Sequence, residues 1–244
     1  MTHAVITGGG RGLGAAIAKA FDSAGITTTL LGRDQKGLQE VTGRLHRASC
    51  LKLDVTDPEA VHAIFSGLSN IDILVNNAGI APSSPFNRHT LADWRSSFAV
   101  NVDGAFYCTQ AAIGSMLERN SGRVINIAST SALKGYAYVS GYVASKHALL
   151  GLTRALATEY AGTNLTFNAI CPGFAETDLL TQSIDNIVSK TGRSEGEARK
   201  TLASNNPQKR FIQPEEIAAT AMWLISDAAS SVTGQAISVS GGET

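Results

Sequence analysis

The chain has 244 residues, of which 43% are hydrophobic and 16% charged, with twenty acidic and twenty basic side chains. This composition is typical of a single globular domain, residues 1–244, that buries a full hydrophobic core. A formal net charge of zero argues against nucleic acid or an anionic membrane as the main partner. The composition therefore favours a small-molecule ligand.

The N-terminus and the cysteines predict a cytoplasmic protein. Met1 leads within a few residues into the apolar run Ala4 to Ile6, which leaves no room for a signal peptide. No apolar run reaches the roughly 18 residues of a membrane span. Cys50, Cys108 and Cys171 lack C-x-x-C spacing and are interpreted as reduced thiols. The histidines form no metal-ligand cluster, so no metal site is expected.

Strand-like and helix-like segments alternate along the chain. The spacing predicts helices over residues 14–24, 34–46, 56–68 and 90–118, another carrying Tyr142, and one from Pro214. The apolar strands between them predict a doubly wound, seven-stranded parallel sheet of Rossmann-like α/β class, covered by helices on both faces. The predicted strands are residues 3–7, 27–31, 49–55, 71–76, 122–129, 164–172 and 235–240.

Polar segments follow six of these strands and predict the position of the site. Parallel sheets of this kind bind ligands beyond the carboxyl ends of their strands. The polar segments, in chain order, are TGGGRGLG, GRD, DVTD, NNAG, STS and PGFAET. They are therefore expected to meet at one edge of the sheet.

The glycine-rich segment, residues 7–14, lies between a strand and a helix, where backbone amides can approach a diphosphate. It fits two patterns, Gly10-x-Gly12-x-x-Ala15 and Gly8-x-x-x-Gly12-x-Gly14. The alternative interpretation is a tight turn without a ligand. The flanking strand and helix favour a dinucleotide site.

The second strand ends in Gly32-Arg33, where an NAD site usually carries a carboxylate for the ribose. Arg33 and Arg11 would suit the 2′-phosphate of NADP, which is therefore favoured over NAD. Two alternatives stay open: Arg33 stacks on the adenine, and Asp34 only caps the next helix.

Tyr142 and Lys146 are one helical turn apart and face the same way. An ammonium that close is expected to lower the pKa of the phenol and make Tyr142 an acid/base. The alternative is that Tyr142 packs in the core and Lys146 is solvated. Of the five tyrosines, only Tyr142 has a lysine four residues later.

Taken together, these motifs resemble the short-chain dehydrogenase/reductase family over nearly the whole chain. The matching segments are T-G-x-x-x-G-x-G at residues 7–14, N-N-A-G at 76–79, Y-x-x-x-K at 142–146 and P-G at 172–173. Ser129 precedes Tyr142 by 13 residues, and Asn101 lies in the long helix after NNAG.

The resemblance implies a catalytic role for each of four residues. Tyr142 would be the general acid in ketone reduction and the base in alcohol oxidation, and Lys146 would lower its pKa and bind the nicotinamide ribose. Ser129 would hold the substrate oxygen, and Asn101 would hold a water that resupplies the proton.

The resemblance also assigns cofactor and substrate residues, with Thr7 and Asn76 bracing the loops. Candidate pocket residues are Ser131, Leu133, Tyr136 and Phe174, although Tyr136 equally suits the core. The residues expected along the cofactor are Gly8, Gly10, Arg11, Gly12, Leu13, Gly14, Arg33, Asp54, Val55, Asn77, Ala78, Gly79, Tyr142, Lys146, Pro172, Gly173, Ala175 and Thr177.

Residues 178–212 form a polar, helix-prone insertion that predicts a lid over the substrate, or alternatively a solvated excursion. Its excess of basic residues would suit an acyl-carrier or coenzyme A phosphate, or alternatively has no ligand. The chain is similar to family members that act on 3-oxoacyl thioesters, polyketides or 3-hydroxybutyrate. The expected substrate is therefore a small ketone or secondary alcohol, possibly a thioester.

Two other classes of function were weighed. Residues 192–196, GRSEG, fit the G-x-S-x-G pattern of a hydrolase, but no buried strand precedes them, and the match is interpreted as chance. A non-catalytic NADP sensor or scaffold would not need Asn101, Ser129, Tyr142 and Lys146 together. The resemblance further implies a homotetramer or dimer.

Overall fold

Seven parallel strands form one sheet in the computed structural model, which describes residues 2–68 and 70–244. Met1 and Ser69, which belong to the predicted domain of residues 1–244, lie outside the described residues. The strand order β3-β2-β1-β4-β5-β6-β7 confirms the predicted doubly wound sheet. The strands are β1 (His3–Thr7), β2 (Thr27–Gly32), β3 (Ala48–Lys52), β4 (Ile73–Asn76), β5 (Gly122–Ile127), β6 (Leu165–Pro172) and β7 (Ala236–Val239).

Helices cover both faces of this sheet, and their first turns follow ordinary capping chemistry. Asp57, for example, accepts hydrogen bonds from the backbone N–H groups of Glu59 and Ala60, with Pro58 in the first helical position. Within the described residues, no helix is both long and apolar enough to cross a membrane. The helices are α1 (Gly12–Ser23), α2 (Gln35–Thr42), α3 (Pro58–Ser66), α4 (Leu91–Phe98), α5 (Gly104–Glu118), α6 (Ser140–Glu159), α7 (Asp178–Thr191), α8 (Glu195–Ala203) and α9 (Pro214–Leu224).

Two hydrophobic clusters hold the helices against the sheet. On one face, Phe21 of α1 and Ile217 of α9 pack with strand residues such as Ile6. On the other face, Phe65 of α3 and Met116 of α5 belong to the second cluster. Burying each such side chain contributes about 1.5–3 kcal/mol. The rigid sheet that results fixes the ends of its strands, where the polar loops begin.

The helix predicted over residues 90–118 is interrupted. A π-helical turn at Ala99–Asp103 separates α4 from α5, and the N–H of Gly104 bonds to the carbonyl of Ala99. A Cβ on Gly104 would stand 2.6 Å from Cγ2 of Val55, so α5 approaches the neighbouring loop closely here. Such π turns frequently mark functional sites. This one carries Asn101.

The predicted insertion, residues 178–212, contains α7 and α8. These helices pack around a small core of their own that includes Leu180, Ile184 and Ala198. Nδ2 of Asn186 on α7 donates to Oγ of Ser83 at 2.6 Å. The insertion is therefore helical and contacts the loop after β4, while its function as a lid stays a prediction.

Candidate active site

The loops after β1, β4, β5 and β6 meet beyond the carboxyl ends of the strands. The order of the sheet reverses direction between β1 and β4, which are hydrogen-bonded neighbours. Ligands of doubly wound folds bind at such a switch point. The predicted site residues are therefore concentrated at the edge of the sheet where a ligand is expected.

Ser129 and Tyr142 are brought together although 13 residues separate them. Ser129 lies just beyond β5, and its side chain is close enough to the Tyr142 phenol to lower the pKa of that phenol. The backbone N–H of Ser131 donates to the Ser129 side-chain oxygen at 3.0 Å. This bond fixes the Ser129 hydroxyl in the same region of the site as the Tyr142 phenol.

Lys146 follows Tyr142 by one turn of α6, as predicted. Its ammonium lies 5.7 Å from the centre of the Tyr142 ring and donates to the carbonyl of Ile127 at 2.8 Å. The residue is only 4% exposed. Burial lowers the pKa of Lys146 to about 8 because a charged ammonium is poorly solvated there.

The expectation that Lys146 lowers the pKa of Tyr142 is wrong for this arrangement. Burial raises the pKa of the Tyr142 phenol, the Ser129 side chain lowers it, and Cys171 raises it further, which leaves that pKa raised. The physical reason is that the buried phenol loses the water that would stabilise its phenolate form. Tyr142 therefore stays protonated at neutral pH, which suits a proton donor.

Asn101 is fully buried beside Lys146 and connects two parts of the site. Its side-chain oxygen accepts from the N–H of Ile80 at 2.9 Å, and its amide donates to the Ile80 carbonyl and to Ser145. A Cβ on Gly79 would stand 3.3 Å from this oxygen and 3.6 Å from Nζ of Lys146. The amide thus ties the loop after β4 to α6, and its predicted water stays untested.

The glycine-rich segment adopts a conformation that side chains would prevent. Gly8 and Gly12 have φ angles of +65° and +52°, in the left-handed region. A Cβ on Gly14 would stand 2.6 Å from Nδ2 of Asn77. The segment leads into the N-terminus of α1, where backbone N–H groups can hold phosphate. These features fit the diphosphate of a dinucleotide.

Thr7 and Asn76 brace the loops, as predicted. The Thr7 hydroxyl accepts from the backbone N–H groups of Asn77 and Ala78, both at 3.0 Å. Asn76 donates to Thr109 and to Asn126 on the adjacent strand. Asn77 shares this function, because its amide donates to the carbonyls of Thr7 and Gly8 at 3.0 Å. The Asn77 side chain is therefore committed to the glycine-rich segment.

Two exposed arginines flank this segment. Arg33 follows β2 and lies near Asp54. Burial raises the pKa of Asp54, but hydrogen bonds from Thr56 and the charge of Arg33 outweigh it and leave that pKa lowered. Arg11 is 3.7 Å from Asp178, and such an exposed pair contributes little. Both guanidinium groups thus remain accessible to an anion, while Asp34 caps α2.

Three residues predicted along the cofactor pack their side chains on the hydrophobic core. Val55 is a buried member of the cluster on one face of the sheet, Ala78 is partly buried against that cluster, and Leu13 is partly buried against the other. Any ligand contact from Val55 or Ala78 would therefore come mainly from the backbone.

The loop after β6 approaches the glycine-rich segment. The N–H of Gly173, which follows Pro172 at the end of β6, donates to the carbonyl of Val239 at 3.0 Å. Thr177 donates to the carbonyl of buried Ala175. A Cβ on Gly12 would stand 3.3 Å from Cγ2 of Thr177. The glycine-rich segment and the loop after β6, both predicted to contact the cofactor, thus lie next to each other in the site.

The predicted substrate residues lie around the same edge. The rings of Tyr136 and Phe174 meet edge to face, with centres 6.1 Å apart. Ser131 is buried and Leu133 is half-buried against a small hydrophobic cluster. Tyr136 is therefore neither a core residue nor fully exposed.

Sequence reasoning missed Glu243, whose carboxylate accepts a hydrogen bond from Tyr136 at 2.6 Å. The sequence does carry one sign of a turn near the chain end, the two consecutive glycines Gly241 and Gly242 after β7. Both have positive φ angles, +64° and +89°. A turn there returns the end of the chain to the active-site edge.

The GRSEG match is not a hydrolase elbow. Ser194 caps α8, and Ser194 and Glu197 form a reciprocal capping box. Among the described residues there is no group of three or more His, Cys, Asp or Glu side chains that would hold a metal.

Comparisons with known proteins agree with this geometry. A family model described as enoyl-(acyl carrier protein) reductase matches residues 8–244. The chain is 34% identical to 3-oxoacyl-(acyl-carrier-protein) reductase of Aquifex aeolicus, covering 98% of this chain and 95% of the relative. It is 33% identical to D-beta-hydroxybutyrate dehydrogenase of Rhizobium meliloti, covering 99% and 98%. A solved variant of actinorhodin polyketide ketoreductase with NADPH superposes with a TM-score of 0.96 at 31% identity, covering 99% and 97%. All three branches named from the sequence are thus represented.

Proposed function

The chain belongs to the short-chain dehydrogenase/reductase family, and from this premise we propose that it reduces a ketone to a secondary alcohol with NADPH. The observation that carries the proposal is that the Ser129 side chain influences the buried Tyr142 phenol, while the Lys146 ammonium lies 5.7 Å from the Tyr142 ring centre. Ser129 and Tyr142 together offer two hydroxyl donors to a single carbonyl oxygen.

The side chains would divide the chemistry as follows. Tyr142 is protonated at neutral pH and donates its proton to the carbonyl oxygen as negative charge develops there. Ser129 donates a hydrogen bond to the same oxygen. NADPH supplies the hydride when bound. The hydrogen bond from Lys146 to the Ile127 carbonyl fixes the ammonium, which places a positive charge beside Tyr142.

NADPH is proposed over NADH because of Arg33 and Arg11. Both are exposed near the glycine-rich segment, and Gly32 leaves the ribose carboxylate position without a side chain. Charge-assisted bonds from arginine suit a phosphate. NAD-dependent oxidation of a secondary alcohol or 3-hydroxy acid is the alternative.

The substrate is proposed to be a 3-oxoacyl-thioester-like or other small ketone. Tyr136, Phe174, Leu133 and Ser131 would line its side of the site, with residues 178–212 as a lid. The description of the matching family model suggests reduction of a C=C bond instead. The Ser129 and Tyr142 hydroxyls lie together, as binding one oxygen requires, which favours the carbonyl.

Two further properties are proposed from the family and the cysteines. Family members are mostly tetramers or dimers, and light scattering on the purified chain would measure the assembly. The described cysteines Cys50, Cys108 and Cys171 are all free, which suits the reducing cytoplasm. Cell fractionation would test that location.

NADPH oxidation with a panel of ketones, an enoyl thioester and an ester tests the function. We expect turnover of at least one ketone and none of the ester. Turnover of the enoyl thioester alone would assign C=C reduction. Binding of NADPH without turnover of any compound would instead support a sensor or scaffold.

A further inference from the structure

Four side chains form a hydrogen-bonded group next to Ser129, here called the Glu243 cluster: Thr130, Lys134, Tyr136 and Glu243. The Tyr136 hydroxyl donates to Oε1 of Glu243 at 2.6 Å. Its oxygen lies 2.6 Å from the hydroxyl of Thr130, which therefore acts as the donor in that pair. Nζ of Lys134 is 2.9 Å from the same Glu243 oxygen. The one hydrogen that Tyr136 can donate is thus committed to Glu243.

The cluster lies close to the reacting groups. Thr130 directly follows Ser129, and Tyr136 packs edge to face on Phe174. Burial raises the pKa of Tyr136, and the carboxylate of Glu243 and the electrostatic effect of Tyr142 raise it further. A free Tyr136 hydroxyl would be a second candidate donor to a substrate oxygen.

The cluster uses only one of the two carboxylate oxygens of Glu243. Its side chain is 1% exposed, and Oε2 has no hydrogen-bond partner among the described residues. That oxygen lies 3.3 Å from the place where a Cβ on Gly173 would stand. A buried carboxylate with an unused oxygen is costly to desolvate. Its clearest effect is local, on the orientation of Tyr136.

We propose that Glu243 is a positioning residue that turns the Tyr136 hydroxyl away from the reacting oxygen, so that Tyr142 is the single phenolic donor. Tyr136 then presents its ring, with Phe174, to the group attached to the carbonyl. The specificity that follows is for ketones bearing an apolar or aromatic group on that side. The inference rests on the proposed reduction of a ketone by NADPH.

The kinetic test compares Glu243→Ala, Glu243→Gln, Tyr136→Phe and the double variant Glu243→Ala/Tyr136→Phe on phenyl-bearing and small aliphatic ketones. Thr244→Ala, at the exposed neighbouring position, is the matched control. Glu243→Ala should lower kcat/KM for the phenyl ketone by about tenfold and erode the enantiomeric excess of the alcohol. Tyr136→Phe in that background should restore the enantiomeric excess, because no second hydroxyl remains. Glu243→Gln keeps an acceptor oxygen and should retain most of the selectivity.

A second measurement does not depend on activity. Titration of tyrosinate absorbance should show one tyrosine ionising at lower pH in Glu243→Ala than in the unaltered chain, and the double variant should lack that ionisation. Identical titration curves would overturn the contact itself. A shifted curve with unchanged kcat/KM and enantiomeric excess would overturn the positioning role. Failure of the unaltered chain to reduce any ketone would refute the proposed function and the specificity inferred from it.

Discussion

The ammonium of Lys146 lies 5.7 Å from the ring centre of Tyr142 and donates its hydrogen bond to the Ile127 carbonyl. The two residues face one region of the site, but both are desolvated there. Burial lowers the pKa of Lys146 to about 8 and raises the pKa of Tyr142. A protonated Tyr142 suits the proposed role of proton donor, and the burial of both groups has measurable consequences.

The first consequence concerns stability and pH. The pKa of Lys146 is about 8 in the folded chain against an ordinary value of 10.5, so the unfolded chain binds more protons between these values. Stability contributed by this group therefore rises with pH across that window, by roughly 3 kcal/mol in all. Lys146→Met removes the titrating ammonium, so the stability of this variant should lack that dependence on pH. Urea unfolding between about pH 7 and pH 10 should show the unaltered chain gaining stability relative to the variant, and parallel curves would contradict the burial argument.

The rate of reduction should depend on pH in the direction set by Tyr142. Because the pKa of the phenol is raised, kcat/KM for ketone reduction should stay high through neutral pH and fall in alkali. Alcohol oxidation needs the phenolate and should rise with pH. Profiles measured in both directions check this, and reduction that accelerates with pH would count against Tyr142 as the acid.

Gly14→Ala should disrupt the glycine-rich segment. The added Cβ would stand 2.6 Å from Asn77 and closer still to the carbonyl of Gly8. We expect a loss of about 1–3 kcal/mol of stability and NADPH binding about tenfold weaker. Gly114→Ala is the control, since Gly114 is exposed on α5 and its added Cβ would meet nothing within 4 Å. The same NADPH affinity in both variants would argue against a cofactor at this loop.

Arg33→Ala should change cofactor preference. Charge-assisted hydrogen bonds contribute about 1.5–3 kcal/mol, so the Kd for NADPH should rise about tenfold or more while that for NADH changes little. Arg44→Ala is the control. It removes an exposed arginine from the turn that follows α2, and it should change the Kd of neither NADPH nor NADH. Titration of each variant with both dinucleotides makes the comparison. Equal weakening of the two would favour stacking on the adenine.

The sequence was sufficient for features that depend on local patterns. The alternation of apolar strands and helices predicted the sheet, and the spacing of Ser129, Tyr142 and Lys146 predicted which side chains meet. It was insufficient where tertiary contacts decide. The π turn at Asn101 accompanies close packing of Gly104 on Val55. The pKa of Tyr142 depends on burial by the whole fold, which a four-residue spacing does not report.

Glu243 illustrates the same limit. It reaches Tyr136 across 107 positions of sequence, and only two glycines near the chain end hinted at a turn. The amide of Asn77 likewise holds the carbonyls of Thr7 and Gly8, a contact that the NNAG motif alone does not predict, while its place along the cofactor stays a prediction.

The most direct test of the account is Tyr142→Phe, measured for NADPH affinity and for ketone reduction on the same preparation. The ring and its packing remain, so NADPH affinity should stay within about twofold, while kcat falls about a hundredfold or more because the proton donor is gone. An unchanged kcat in a variant that still binds NADPH would contradict the assignment of Tyr142 as the acid.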